Sequence, residues 1–329
     1  MAGKQNGKRW VTLQDGLDNL KLEDAPPPPS TPGADEVLVE IKAVSLNYRD
    51  TEVAMGAYNH HSSMPASQPA LVPCSDACGI VVSVGPDLEV PWKVGDRVLS
   101  TFNQSHLTGQ IRAADMASGL GKPLDGVLQS YRVFPSRGLV RCPDYLSDEE
   151  GACLPIAAVT AWMAIAKAAG ARTIITSSSD EKLERAKSLG ADCTINYRTK
   201  PEWQDEVMRF TGGEGADIIL ETGGAQTLRK SFASVAFGGV IACIGYVSGK
   251  QDAPGDRTNV NLLALQRNVT LKGILNGPRD RFEEMLGFYE EHCIRPVVDR
   301  VFPFEEAKEA LKYLFSGSHF GKVVVRVAS

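Results

Sequence analysis

Ser177-Ser178-Ser179 and Lys182 follow a β-branched run, Thr173-Ile174-Ile175-Thr176, and open an amphipathic stretch over 180–189. A strand that ends in a hydroxyl-rich turn and feeds a helix is one half of a nucleotide-binding fold, the half that meets the adenosine. The other half normally stands before it as a buried strand, a glycine-rich turn and a helix N-terminus that holds the pyrophosphate. Here Thr160-Ala161-Trp162-Met163-Ala164 runs directly into Ile165-Ala166-Lys167-Ala168-Ala169-Gly170-Ala171. Two other glycine clusters, Gly212-Gly213-Glu214-Gly215 and Phe237-Gly238-Gly239, lie between a helix and a strand, the wrong polarity for phosphate. The serines also suit a helix cap before Asp180, a role compatible with binding.

The chain has 329 residues, 43% hydrophobic and 23% charged, with a formal net charge of -5. That is globular material for one large or two medium domains, and its mild acidity gives no reason to expect nucleic acid or an anionic membrane surface. No apolar stretch reaches membrane-spanning length. The basic start, Met1 to Arg9, has no apolar segment behind it, so neither a signal nor a transit peptide is expected. Seven cysteines, odd in number and never spaced Cys-x-x-Cys, indicate free and mostly buried thiols in a reducing compartment, and hence a cytoplasmic protein. His60, His61, Cys74 and Cys78 form the only local cluster of metal-ligating types, and their spacing matches no standard site.

The elements that must position these residues change character along the chain. Val37–Val44, Gly79–Gly85 and Val94–Val98 read as short strands separated by glycine and proline turns, which suggests a barrel-like β domain. Residues 103–126 read as a surface loop. Ser147-Asp148-Glu149-Glu150 is a capping box that opens a long helical stretch. Strands at 173–176, 193–197, 217–220, 240–244 and 269–274 then alternate with helices at 180–189, 202–210 and 225–235, the signature of a parallel α/β sheet. Helices at 281–293 and 305–314 precede a last strand, Lys322-Val323-Val324-Val325-Arg326-Val327, which either extends that sheet or returns to the first domain.

The stretches VSLNYRD, GIVVSVGPDLEVPWKVGDRV, LSDEEGACLPIAAVTAWMA, SSSDEKLERAKSLGAD and FGKVVV, in this order over almost the whole chain, resemble the medium-chain dehydrogenase/reductase superfamily, and within it the zinc-independent quinone-oxidoreductase-like branch. The resemblance implies an α/β protein: a GroES-like β-barrel domain over 1–146, a Rossmann-type doubly wound parallel sheet over 147–287, and a return to the first domain over 288–329. It also implies a site in the cleft between domains and a homodimer. Zinc alcohol dehydrogenases of the superfamily carry Cys where this chain has Asn47 and Gly-His-Glu where it has Cys74-Ser75-Asp76, so no metal is expected. Asn47 and Tyr58 are then the candidate catalytic residues, one orienting substrate or nicotinamide ribose, the other donating a proton. Asp50 is expected to fix the neighbouring helix start.

Thr160, Ser177, Ser178, Ser179, Lys182, Tyr197, Thr222, Gly223, Gly245, Tyr246 and Lys322 fall where the family contacts its cofactor. Neutral hydroxyls plus an ammonium after the strand at 173–176 suit a 2'-phosphate, hence NADP(H). The implied reaction is hydride transfer to a quinone or α,β-unsaturated carbonyl, such as a biosynthetic tailoring step. A cofactor-poor binding module is the alternative, and a zinc alcohol dehydrogenase is a weaker one. Relative to the family, a strand and its glycine-rich turn are missing between Ala164 and Ile165. Such a strand is central in the 3-2-1-4-5-6 order. Its loss leaves unpaired backbone at about 1–3 kcal/mol per group, against roughly 5–15 kcal/mol for a whole domain. Either the strand at 173 pairs with that at 217, or the domain is poorly stable.

Overall fold

Residues 7–59, 70–165 and 171–328 are described by a computed structural model, so His60 and His61 lie outside the described residues. The first part of the chain forms β1 (Lys8–Val11), β2 (Lys21–Asp24), β3 (Glu36–Ser45), α1 (Tyr48–Ala54), β4 (Asp76–Val84), β5 (Arg97–Ser100), β6 (Tyr131–Pro135), β7 (Leu139–Arg141) and α2 (Asp148–Ala152). A π-helical turn, Leu154–Ala158, leads into α3 (Val159–Ile165). Next come β8 (Ile174–Ser177), α4 (Asp180–Ser188), β9 (Cys193–Asn196), α5 (Trp203–Phe210), β10 (Ala216–Glu221), α6 (Leu228–Ser234), β11 (Val235–Cys243), α7 (Val260–Gln266) and β12 (Thr270–Gly273). The tail adds α8 (Arg279–Glu291), β13 (Val298–Pro303), α9 (Ala307–Phe315) and β14 (Lys322–Arg326). No helix among the described residues is long and apolar enough to cross a membrane.

Two units result, Met1–Val159 with Asn276–Ser329, and Thr160–Leu275. The division falls at Val159/Thr160 and Leu275/Asn276, whereas the sequence reading placed it at 147 and 288. The helix that starts at the Ser147 capping box belongs to the first unit because its inner face is packed there. Gly151 and Ala152 are buried, and a Cβ on Gly151 would stand 2.8 Å from Cys142 Sγ. Ser147 caps as expected: Glu150 N donates to Ser147 Oγ at 3.2 Å and Ser147 N to Glu150 Oε2 at 2.8 Å.

In the first unit seven strands join in the order β13-β14-β3-β4-β5-β7, with β6 also on β3. The last strand returns to this unit, pairing antiparallel with β3. The sheet is not a closed barrel, a correction to the expected architecture. Among the described residues β13 pairs only β14, β7 only β5 and β6 only β3, so open edges remain. Barrel-like curvature comes instead from β3, whose register against β4 shifts between Leu38/Val39 and Ile41/Ala43. An extra residue at such a shift bends and twists the strand. β6 takes Glu36–Glu40 and β14 takes Ala43–Ser45, so two strands share one long partner. Val37, Val39, Ile41, Phe134, Val323 and Val325 line the core below it.

The stretch 103–126 is not the simple surface loop its polarity suggested. Asn103, Gln104 and His106 are buried, and one nitrogen of each finds a backbone partner: Asn103 Nδ2 donates to Asp115 O at 2.9 Å, Gln104 Nε2 to Thr101 O at 2.7 Å, and His106 Nε2 lies 3.0 Å from Gly109 O. Leu120 is fully buried in the same core.

The second unit holds two parallel sheets, β8-β9 and β10-β11-β12. With helices between the strands this is a Rossmann-like arrangement. Among the described residues strand 173 does not pair with strand 217, so the first of the two alternatives is not realised. Among the described residues β8 and β10 each keep one unpaired side. Side chains that an uninterrupted sheet would bury are partly open, with Ile175 40%, Ile218 39% and Leu220 39% exposed. Backbone amides of β11, flanked on both sides, should exchange with solvent at least about tenfold more slowly than those of β8. Equal protection of the two strands in a hydrogen-exchange experiment would show that β8 is paired on both sides.

Candidate active site

The register of β14 on β3 brings distant residues together. Val324 stands opposite Ser45, which sets Lys322 against Asn47 just beyond the end of β3. Lys322 Nζ donates to Asn47 Oδ1 at 2.6 Å and to Leu46 O at 2.7 Å. Lys322 is partly buried as well as bonded. Asn47 is also the residue that starts α1, and its backbone N–H donates to Asp50 Oδ2 at 2.8 Å. Asp50 therefore does fix the helix start, and the Asn47 amide is left to face Lys322.

Sequence reasoning missed the polar groups around this pair. Asp76, opposite Ser45 on β4, is fully buried. It accepts from Ser75 Oγ at 2.7 Å and from the Ile156 N–H at 3.1 Å. That N–H comes from the π-helical turn, a widened geometry that recurs at functional sites. Arg49 Nη1 reaches Asp50 Oδ1 and Leu120 O, both at 3.2 Å. Its guanidinium lies 4.8 Å from the ring centroids of both Tyr58 and Phe102. Tyr58, expected to be catalytic, is buried beside Val53 and Leu71 and packs on Arg49. The signal that would have found this group was the charged cluster Arg49-Asp50 with Glu52 in so short a helix, all next to Asn47.

Burial pushes the Asp50 carboxyl up to about 6, against the pull of Arg49 and of the Asn47 N–H. Burial also raises Asp76, opposed by the Lys322 ammonium, the Asn47 amide and the bonds from Ser75 and Ile156. Cys153 is pushed up to about 11, mainly by burial, so it carries its proton at neutral pH. The cluster thus combines one lysine ammonium, one guanidinium and two buried carboxyl groups that resist ionisation.

In the second unit Ser177, Ser178, Ser179, Lys182 and Tyr197 meet at the ends of β8 and β9. Ser179 Oγ accepts from Lys182 N at 3.4 Å and Ser177 Oγ from Ser179 N at 3.3 Å. Ser179 caps α4 and Ser177 accepts within the turn before it, and both oxygens keep an O–H hydrogen to donate elsewhere. The Tyr197 N–H donates to Ser177 O at 3.0 Å, and its side chain is exposed. The Asp180 carboxylate next to this turn accepts from Asn196 Nδ2 at 2.6 Å.

Thr222, Gly223, Gly245 and Tyr246 form a separate group at the ends of β10 and β11. Its organiser is buried Glu221, which accepts from Gly223 N at 2.7 Å, Gly224 N at 2.9 Å and Thr227 Oγ1 at 2.6 Å, and also from Ser231 Oγ. Gly245 has a reason internal to this fold, since a Cβ there would lie 2.9 Å from Thr222 O. Thr160 Oγ1 is buried without a hydrogen-bond partner among the described residues. The structure brings Lys322 to Asn47 and divides the remaining cofactor candidates between these two strand-end groups and α3.

Residues 33–144 match the family described as alcohol dehydrogenase GroES-like domain, and residues 160–291 the family described as zinc-binding dehydrogenase. A zinc-type alcohol dehydrogenase-like protein of Schizosaccharomyces pombe is 40% identical, over 95% of this chain and 96% of its own length. This chain belongs to the medium-chain dehydrogenase/reductase superfamily. The solved structure of an NAD-dependent alcohol dehydrogenase is 31% identical and superposes with a TM-score of 0.82 over 98% of this chain and 100% of that one. A quinone oxidoreductase-like protein 2 homolog of Nematostella vectensis is 24% identical over 90% of this chain and 82% of its own. The alignment with the Schizosaccharomyces pombe protein covers 342 positions, more than the 329 residues of this chain, so that relative has residues with no counterpart here.

Neither implied group fits the described residues completely. For zinc, no three His, Cys, Asp or Glu side chains among them are arranged around a common point, and the Lys322 ammonium already stands against Asn47. For a dinucleotide, Ser177–Ser179, Lys182 and Tyr197 are the residues that would meet the adenosine end. The pyrophosphate end is not provided for: α3 ends at Ile165 and β8 begins at Ile174, too short a span for a strand, a glycine turn and a helix.

Because the Asp50 pKa is higher in the folded than in the unfolded chain, the folded state holds the extra proton and stability falls as pH rises from about 4 to about 6. The stability difference between wild type and Asp50→Asn should therefore shrink by on the order of 2–3 kcal/mol between pH 4 and pH 7. Denaturant titrations at both pH values give this difference, and a constant value would mean that Asp50 ionises normally.

Proposed function

We propose that this chain is built as a zinc-independent, NADP(H)-linked oxidoreductase for a quinone or an α,β-unsaturated carbonyl, a cytoplasmic homodimer acting on a small molecule. The observation that carries the reading is the Lys322–Asn47 pair, a fixed cation and amide at the end of β3 where a metal-dependent relative would need ligands. Polarising a substrate oxygen without a Lewis acid requires hydrogen-bond donors held in place before the reaction. Asn47 and Lys322 supply such donors, and Asp50, Asp76 and Arg49 hold them. The nicotinamide supplies hydride when bound. The likeness to a quinone oxidoreductase-like protein agrees with this substrate class.

The preference for NADP(H) rests on the turn after β8. Ser179 caps α4 and Ser177 accepts from the Ser179 N–H, both keep their O–H donors, and Lys182 adds an ammonium. Charge-assisted bonds of this kind recognise a phosphate, whereas the NAD pattern places a carboxylate at the strand end.

A second reading has its own observation. The unpaired sides of β8 and β10 agree with the loss of a strand and glycine-rich turn between Ala164 and Ile165, which would leave a cofactor-poor binding module. An in-frame coding segment at the Ala164/Ile165 codons, read from genomic DNA or transcript, would identify a shortened form of a working reductase; without one the shortening is native to the gene.

Thermal-shift titration separates the readings for the chain as it stands. NADPH should raise the melting temperature at concentrations approaching millimolar, with an affinity about tenfold above that of NADH, roughly 1.4 kcal/mol. No response to either nucleotide at several millimolar would defeat the enzyme reading and leave the binding module.

A further inference from the structure

The packing of α1 and α9 leaves two aromatic rings uncovered. Tyr48 opens α1 and Phe315 closes α9, and among the described residues of the first unit they are the only Phe, Tyr or Trp side chains left exposed, at 38% and 47%. Trp10, Tyr58, Phe102, Phe134, Phe302 and Phe304 are all buried. A single exposed apolar side chain needs no explanation, but these two lie together. Their ring centroids are 6.4 Å apart and their planes differ by 13°. Carbon atoms in contact stand about 3.5 Å apart, so rings touching in near-parallel planes at this centroid distance are offset sideways by about 5 Å and overlap little. Set face to face instead, the same distance falls just short of the roughly 7 Å that an inserted flat molecule needs. In either arrangement each ring keeps an open π face. The pair also flanks the site. Tyr48 directly follows Asn47, Phe315 is joined to Lys322 by the short connection 316–321, and the bond from Lys322 to Asn47 ties the two segments together.

We infer that Tyr48 and Phe315 form a stacking platform for a fused planar quinone and so select the substrate by its ring system. A quinone ring is poor in electrons and the Tyr48 phenol is rich in them, so face contact between the two is favourable beyond the area it buries. An open-chain enone offers no such face. Of the two substrate classes in the proposed function, the pair therefore favours the quinone. The inference deepens that reading and rests on it for its ligand class.

The probe is 9,10-phenanthrenequinone, titrated by NMR against the full chain without nucleotide, with the open-chain 4-methylpent-3-en-2-one as comparator. Bound to wild type, the aromatic protons of the quinone should move upfield, the ring-current signature of stacking. Tyr48→Leu and Phe315→Leu keep apolar bulk but remove a π face, and each should weaken quinone binding about fivefold and reduce the upfield shift. Tyr48→Phe and Phe315→Tyr should restore both, and affinity for the open-chain enone should stay within about twofold in every variant. Absence of quinone binding by wild type, an unchanged affinity and shift in a folded Leu variant, or an equal loss for quinone and enone overturns the assignment. If sedimentation shows a dimer that Tyr48→Leu dissociates while quinone affinity is unchanged, a second copy covers the rings and the assignment falls. NADPH consumption with the same quinone is read separately: a stacked quinone that is never reduced refutes the proposed reaction and leaves the platform standing.

Discussion

A half-buried ammonium must be surrounded by acceptors, and the first unit is arranged around that requirement at Lys322. Its two bonds, to Leu46 O and Asn47 Oδ1, join residues more than 270 positions apart in sequence. They exist only if β14 lies antiparallel on β3 in the observed register, and a slip of one residue would turn Lys322 to the other face. The neighbouring features follow from the same cation. Two carboxyl groups balance it, Asp50 from the first turn of α1 and Asp76 from β4. Each is buried enough to resist ionisation and each is held by backbone N–H donors as well.

The second unit has the opposite character. Glu221 ties the turn after β10 to α6 through hydrogen bonds to Gly223, Gly224, Thr227 and Ser231. β8 and β9 form their own small sheet, in which Ile195 is buried but Ile175 is exposed. The two strand-end groups are each well formed. What a dinucleotide would need between them is the part that the described residues do not provide.

Much of this was legible in the sequence because local patterns report local structure. The Ser147 capping box, the alternation in β3 and the strand-helix rhythm after 173 each specify one element, and each element formed. The three serines could be read as a cap from spacing alone. The barrel expectation failed because closure depends on which strand edges meet, and short alternating strands carry no information about that. The stretch 103–126 looked like solvent-facing loop because Asn103, Gln104 and His106 are polar; their burial depends on backbone partners such as Thr101 O and Asp115 O that composition does not reveal. The pairing of Lys322 with Asn47 was hidden for a related reason. Both residues were singled out, in different roles, but only the register of β14 shows that they share one site.

The sharing of β3 between β6 and β14 has a consequence for the order in which the protein can be made. During synthesis the segment Glu36–Glu40 can pair with β6 as soon as Tyr131–Pro135 has emerged, but Ala43–Ser45 keeps an open edge until the last strand appears. The nascent first unit must wait, with Val44 and Leu46 uncovered, while the whole of the second unit is translated. An exposed strand edge beside apolar side chains is an aggregation hazard during that interval. Folding of the first unit thus waits for β14, and the pairing of Lys322 with Asn47 waits with it.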